Sequence, residues 1–391
     1  MHTKKENFHA RRIFHFLGLA ARAECDASHL KMLAETAAEL SSESPRWDGV
    51  TALAEAQGVA PLLYAHLKEA GAEPPLNVKR ELQGLYLRHR LANEIRMRQL
   101  IKILASFDSA NIPVLVLKGA ALSSLIYAEP GLRPFNDLDI LVPKSAIKQV
   151  QRFLADLGFS VPLSPFLPGR VFFPKHLPKA VLQTDGISVI VEVHFNLFSE
   201  YESVSMRIED LGDPPLSFPL EPDGIMAQTL GFEETLWYLC LHLCRTHPLY
   251  GESRLIWMAD IVSFAERFQR EIDWEMIRKH YPFVLQTLSL LHFITPLSQS
   301  LLAQAPLKIG NEPQGIGEDF RGVPQSLFPV EGIKRYFHDL RDIFFPSEWW
   351  LRLHYGLGSV RPLFWDRWVR HPLSILRLTN RLLLRRLVPP E

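Results

Sequence analysis

The segment DLDILVP, residues 137–143, sets two carboxylates inside an apolar run. Read as a strand, it points residues i and i+2 to the same face, so Asp137 and Asp139 stand side by side and repel. A fold accepts that more readily when something positive, usually a metal ion, sits between them. The preceding residues sharpen the constraint. IPVLVLK (112–118) is short, β-branched and continuous, as a buried strand is; GAALSSLIYA (119–128) has helical spacing; EPGLRPFN (129–136) is turn chemistry. Strand, Lys118-Gly119, helix, Arg133-bearing turn and Asp-x-Asp strand thus follow in quick succession.

Downstream, KSAIKQVQRFLADLGF reads as an amphipathic helix ending at Gly158, and a Pro-rich irregular stretch covers 162–178. KAVLQTDGISVIVEVHFNLF then reads as a β-hairpin turning at Thr184-Asp185-Gly186, with strands near 179–183 and 187–195. Glu192 interrupts an otherwise apolar strand, and His194 shares its face. A charge in a half-buried strand needs a partner, and a metal is one.

The flanks are helical. Residues 9–108 repeat apolar positions at i, i+3 and i+4, broken by AEPPLN at 72–77, and the helical period returns from about 224. A Gly/Pro-rich loop at 305–330 precedes a tail rich in Arg and Trp. The expected fold class is α+β: a small mixed sheet embedded between N-terminal and C-terminal helical regions. The expected divisions are a helical region (1–108), an α/β core (109–222), a helical domain packed on it (223–304), and a loop with a basic, aromatic-rich helical tail (305–391).

Composition narrows the partners. The 391 residues include 43 basic and 43 acidic side chains, so bulk charge gives no reason to expect nucleic-acid binding. Three cysteines, Cys25, Cys240 and Cys244, make no disulfide framework and fit a reducing cytosol, so a cytoplasmic protein is expected. Neither a signal peptide nor an apolar run long enough to span a bilayer is read.

Chemically, Asp137 and Asp139 suit Mg²⁺, a hard ion that prefers oxygen, with Mn²⁺ as an alternative. Two such ions about 3.5–4 Å apart would activate an attacking hydroxyl and stabilise a leaving pyrophosphate. Glu192 is the third carboxylate that this arrangement requires. Lys118 and Arg133 flank the position of a phosphate, and Gly119 lets backbone approach it at a helix start. Plainer readings exist for each residue. Asp137 and Asp139 could cap a turn, Glu192 could pair with Lys179 or Arg170, His194 could be a satisfied buried histidine, and Arg133 could cap the preceding helix. CLHLCRTH (240–247) invites a zinc reading, but on a helix its four ligands do not converge, so core cysteines are expected. Asp260 is an acid on a helical apolar face, a candidate partner for Arg254 or His242 or a lining of the nucleotide cleft. The tail is either an amphipathic closure of the core, which is the favoured reading, or a weak peripheral contact with an anionic membrane.

The block LKGAALSSLIYAEPGLRPFNDLDILV followed by VEVHFNL resembles the uncharacterised nucleotidyltransferase family, within the DNA polymerase β-like nucleotidyltransferase superfamily. WDGVTALAEAQGVAPLLYAHL upstream and RLIWMADIVSFAERFQREIDWE downstream extend the resemblance over most of the chain. It implies a Mg²⁺-dependent transfer of an NMP group from an NTP to an acceptor hydroxyl or phosphate. Asp137, Asp139 and Glu192 would be metal ligands and catalytic groups, with Lys118, Gly119, Arg133 and His194 binding nucleotide. The acceptor stays open between a small molecule, a peptide, a protein and an RNA end. Lys118-Gly119-Ala120 replaces the superfamily's usual Gly-Gly or Gly-Ser, which keeps a rival in play: a non-catalytic module that retains the fold and binds nucleotide or a partner.

Overall fold

The structure, a computed structural model, describes residues 2–42, 47–162, 175–198, 205–220, 224–246, 253–316 and 343–377. Its centre is a four-stranded mixed sheet in the order β1-β2-β4-β3: β1 (Leu115–Leu117), β2 (Asp137–Leu141), β3 (Ala180–Thr184) and β4 (Ile187–His194). β1 runs antiparallel to β2, β2 parallel to β4, and β4 antiparallel to β3. The β3–β4 hairpin closes through Asp185 and Gly186, both at positive φ (48° and 78°), as a tight two-residue turn requires.

Strand alternation divides the sheet into unlike faces. Val116, Leu138, Ile140, Val189, Val191 and Val193 form one wholly apolar face. It packs against the C-terminal half of α5 (Leu76–Asp108), through Leu100, Ile103 and Phe107, and against Val150 and Leu154 of α7 (Ile147–Asp156). The opposite face carries Leu115, Leu117 and Leu141, which meet Tyr238 and Leu241 of α8 (Phe232–Leu241). Asp137, Asp139, Glu192 and His194 have the same strand parity and share that second face.

Helix α5 is 33 residues long, about 50 Å at 1.5 Å per residue, and it serves two cores. Val78 and Leu82 at its start belong to a helical core, whereas Ile95 to Phe107 belong to the sheet. That helical core joins α1 (His2–Leu19), α2 (Ala27–Ser42), α3 (Val50–Ala56) and α4 (Ala60–Glu69) to α9 (Leu255–Arg267), α10 (Trp274–His280), α11 (Pro282–Leu291) and α12 (Gln299–Gln304). The segments before and after the sheet therefore fold together around one interior.

One further element departs from expectation. The helical period was expected from about 224, but β5 (Leu216–Leu220) and β6 (Ile225–Thr229) form a second, two-stranded antiparallel sheet before α8 begins. Both strands bury alternate residues; Phe218, Leu220 and Ala227 join the sheet core. Core cysteines are expected at 240 and 244, and of the four residues named in 240–247 His247 lies outside the described ones. Cys240 and Cys244 are fully buried, and Cys244 Sγ lies 3.6 Å from Thr287 Oγ1.

The turn into β2 is bolted to both cores. Buried Asn93 of α5 donates from Nδ2 to Pro130 O (2.7 Å) and Arg133 O (2.9 Å). The Arg133 guanidinium donates to Asp260 of α9 from Nη2 (2.5 Å) and Nε (3.2 Å), and the Tyr127 hydroxyl donates to the same carboxylate at 2.8 Å. Asp260, expected to meet Arg254, His242 or the cleft, thus bonds Arg133 and Tyr127. A buried bidentate pair costs much when halved and little when removed whole. Asp260→Ala is expected to destabilise the protein by about 3–5 kcal/mol, and Arg133→Met with Asp260→Leu by far less than the two single losses combined. Thermal and denaturant melts of the three variants read this; a cost for Asp260→Ala below about 1 kcal/mol would show that the pair is no strut.

Candidate active site

Parallel pairing puts Asp139 directly beside Glu192. Asp139 is nearly inaccessible, and its Oδ1 accepts from Lys118 Nζ at 2.9 Å and from His194 Nε2 at 2.7 Å. Glu192 pairs through Oε1 with Lys179 Nζ at 2.7 Å, while Oε2 lies 3.7 Å from His194 Nε2. Ligand atoms of Asp139, Glu192 and His194 all fall within 4.8 Å of one another. Asp137 shares the face but lies outside that tightest group, and no cation is paired with it among the described residues.

The charges follow from this arrangement. Burial and the neighbouring Asp139 and Glu192 push the Asp137 carboxyl up from 3.8 to about 6. Burial acts in the same direction on Asp139, but the Lys118 ammonium and the His194 hydrogen bond outweigh it and hold that carboxyl well below the usual range. Glu192 is lowered as well: burial and Asp139 raise it, but Lys179 and Lys118 prevail. Burial brings His194 down to about 4 despite Asp139, so its ring is neutral at pH 7. A neutral ring beside an ionised acceptor carries its proton on Nε2 and donates it to Asp139.

Lys118 begins α6 (Lys118–Leu125) at φ 47°, a left-handed conformation uncommon for a residue with a Cβ. That twist brings the side chain back over β2. Burial alone would lower its pKa, yet the Asp139 carboxylate more than offsets this and the ammonium stays charged. Gly119 follows because nothing larger fits: a Cβ there would stand 2.5 Å from Arg133 Nη1 and 2.6 Å from Phe135 Cβ.

Two sequence expectations change position. Arg133, expected at the triphosphate, is buried with its fork turned to Asp260, so it positions β2 and is not a free phosphate clamp. His194, expected to touch nucleotide, has no exposed surface and lies beneath Asp139; its contact is with the carboxylates. The plain reading of Glu192 as a partner of Lys179 describes the observed contact, and the same carboxylate faces Asp139.

Two further side chains belong to the site. Tyr238 is 2% exposed, its ring centroid is 6.0 Å from Lys118 Nζ, and its hydroxyl has no hydrogen-bond partner among the described residues. Arg96 on α5 is buried near Asp137, whose charge opposes the lowering that burial imposes on the guanidinium. Within LWYLCLHL a tyrosine reads as another core aromatic; Arg96 could have been found as the basic residue on the buried side of α5, between Ile95 and Leu100.

The donor set fits a divalent cation that prefers oxygen. Three carboxylates share one face, and Asp137 is the one with no ion-pair partner among the described residues. Lys118 competes for the same place, since its ammonium already neutralises Asp139. Lys118→Met should therefore raise the affinity of the nucleotide-free protein for Mn²⁺ by roughly tenfold or more, read by calorimetry. Unchanged or weaker binding would refute the competition. Asp137 gives a pH test. Its folded pKa lies above its unfolded value, so the stability lost to it is absent below about pH 4 and complete above about pH 6. Asp137→Asn should accordingly raise the melting temperature at pH 7.5 in metal-free buffer and leave it nearly unchanged at pH 4. A difference independent of pH would overturn this account of the carboxylate.

A solution structure of the antibiotic-resistance factor ANT(2'')-Ia aligns with 14% identity over 46% of this chain and 87% of its own, with a TM-score of 0.30. A crystal structure of ANT(2'')-Ia with adenylyl-2''-tobramycin gives 14% identity, 45% and 91% coverage and a TM-score of 0.30. An antigenic nucleotidyltransferase-like protein from Paracoccidioides brasiliensis gives 16% identity, 53% and 97% coverage and a TM-score of 0.32. No curated protein matches. The model of the family described as uncharacterised nucleotidyltransferase matches residues 43–293, more than half of the chain, taking in the whole carboxylate-bearing sheet and most of the helical core. With that extent of match, the chain belongs to the uncharacterised nucleotidyltransferase family.

Proposed function

We propose that the protein is a Mg²⁺-dependent nucleotidyltransferase that moves an NMP group from an NTP to an acceptor hydroxyl or phosphate. The observation that carries this reading is the pairing of Asp139 with Glu192 on adjacent parallel strands, with Asp137 on the same face. In the transfer, a bond forms between the acceptor oxygen and the α-phosphorus, the bond to the β-phosphate oxygen breaks, and pyrophosphate leaves. Mg²⁺ held by Asp137, Asp139 and Glu192 would draw charge from the transferring phosphate and lower the pKa of the acceptor hydroxyl.

The remaining roles belong to the chain. Glu192 takes up the acceptor proton once Lys179, half-exposed at the rim, has released it. Lys118 moves from Asp139 to the triphosphate, and the Gly119 backbone allows the phosphates close. His194 holds Asp139 in orientation through its Nε2 hydrogen bond. Arg133 and Asn93 keep the entry to β2 in register. Tyr238 offers an unspent hydroxyl beside Lys118. The acceptor class is open.

The rival, a nucleotide- or partner-binding module without catalysis, draws on the Lys118–Asp139 ion pair, which neutralises a ligand the reaction needs. Thermal shift with each NTP, with and without Mg²⁺, separates part of this: an enzyme of this class requires metal-dependent stabilisation by nucleotide. Transfer of label from the α-phosphate, assayed against fractionated small molecules, peptides and RNA, completes the test. Glu192→Gln is expected to retain the nucleotide shift with Mg²⁺ and to lose transfer by a factor of roughly 10² or more. Full activity in this variant, or no metal-dependent nucleotide binding by the wild type, would sink the proposal.

A further inference from the structure

The C-terminal tail behaves as two different segments. In α13 (Glu348–Tyr355), Trp349, Trp350, Leu351 and Leu353 are buried, which is the core closure expected of an amphipathic helix. Beyond it the pattern inverts. Residues 364–377 are helical, with a π turn over Asp366–Arg370, and their largest apolar side chains face outward. Phe364, Trp365 and Trp368 are 73%, 63% and 55% exposed, and Val360, Leu373 and Leu376 add 60%, 46% and 55%. Phe345, itself 41% exposed, touches Trp368 with ring centroids 5.0 Å apart. Scattered exposed apolar residues are ordinary, but three large aromatics within five residues form a patch that signals an interaction.

Charge identifies the kind of partner. Residues 360–377 contain four arginines (361, 367, 370 and 377) and one acid, Asp366. Asp366 is 1% exposed and lies under Arg370 at 3.0 Å and Arg361 at 4.0 Å, so within 360–377 the exposed charges are all positive, with Arg367 alone sharing a pocket with acids, Glu312 and Glu348. The chain as a whole is electrically balanced, with 43 residues of each sign, which makes this concentration local.

We propose that this face lies on an anionic lipid bilayer, with the aromatic and aliphatic side chains in the headgroup and acyl boundary and the arginines on lipid phosphates. Indole rings favour that boundary, and basic side chains beside them add attraction to anionic lipid. The mode is peripheral: among the described residues no helix is long and apolar enough to cross a membrane. A second copy of the chain fits less well, because a twofold contact would bring arginines of one sign together. RNA would use arginines and aromatic rings, but Val360, Leu373 and Leu376 offer nothing to stack a base on.

The test floats the full-length protein with vesicles of phosphatidylcholine alone and with vesicles that also contain phosphatidylglycerol. Expected results are flotation with the anionic vesicles only, a blue shift of tryptophan emission, and release as salt rises. Trp365→Ala with Trp368→Ala, and separately Arg361→Gln with Arg377→Gln, should each lower partitioning by roughly tenfold or more without lowering the melting temperature. The idea is overturned by no flotation, by equal flotation with neutral vesicles, or by double variants that float like wild type. It is equally overturned if light scattering shows a dimer that the tryptophan changes dissolve, or if the same changes abolish binding to single-stranded RNA while the vesicle result stays negative.

Discussion

Three carboxylates on one face of two adjoining central strands are an electrostatic debt that the surrounding fold is arranged to meet. Asp137, Asp139 and Glu192 cannot move apart, because their spacing is fixed by the pleat and by the parallel register of β2 and β4. Water screens Asp139 least, since it is buried, the opposite face of the sheet is sealed on α5 and α7, and α8 packs on the leucines beside it. Two lysines come in from outside the strands, one from a strained helix start and one from the base of the hairpin. A neutral imidazole donates from below. Asp137 is left without an ion-pair partner among the described residues, and burial together with Asp139 and Glu192 raises its pKa.

Holding like charges together demands rigidity, which comes from outside the sheet. Helix α5 runs from the helical core to the sheet core, so neither can shift without the other. Asn93, near the middle of that helix, fixes the backbone at Pro130 and Arg133, and Asp260 from the far side fixes the Arg133 side chain. The turn feeding β2 is therefore gripped by the two helical regions that flank the sheet in sequence. Family membership extending from residue 43 to 293, well beyond the strands, is consistent with helices that are part of the site's construction.

The legible part of all this was the part written in short-range alternation. In DLDILV and VIVEVH the polar positions fall on one parity, so the shared face of Asp137, Asp139, Glu192 and His194 followed from strand geometry. The hairpin was legible because Asp185-Gly186 suits the positive φ that a two-residue turn imposes. What escaped depended on long-range partners. Nothing local says that Arg133 meets a carboxylate 127 positions later, so its charge suggested phosphate. Tyr238 sits within the apolar and aromatic run LWYLCL, and only the tertiary fold brings it near Lys118. The β5–β6 sheet was missed although its alternation is present, since Pro219 and short strands weaken the signal.

Lys118 gives the structure its asymmetry. Lys118 at the end of β1 places a tethered cation on Asp139, and its positive φ shows that the backbone bends to deliver it there. A mobile ammonium and a bound divalent cation cannot both neutralise Asp139 at full strength, because each desolvates the same oxygen. On the proposed function, an incoming triphosphate would change that balance: it would offer the ammonium an alternative anion and supply further oxygens to the metal. On that reading the same side chain would neutralise Asp139 before nucleotide binds and hold phosphates afterwards, so binding of nucleotide and of metal would favour each other by linkage. Glycine or serine at this position could not couple the two ligands in this way, for neither brings a charge to exchange.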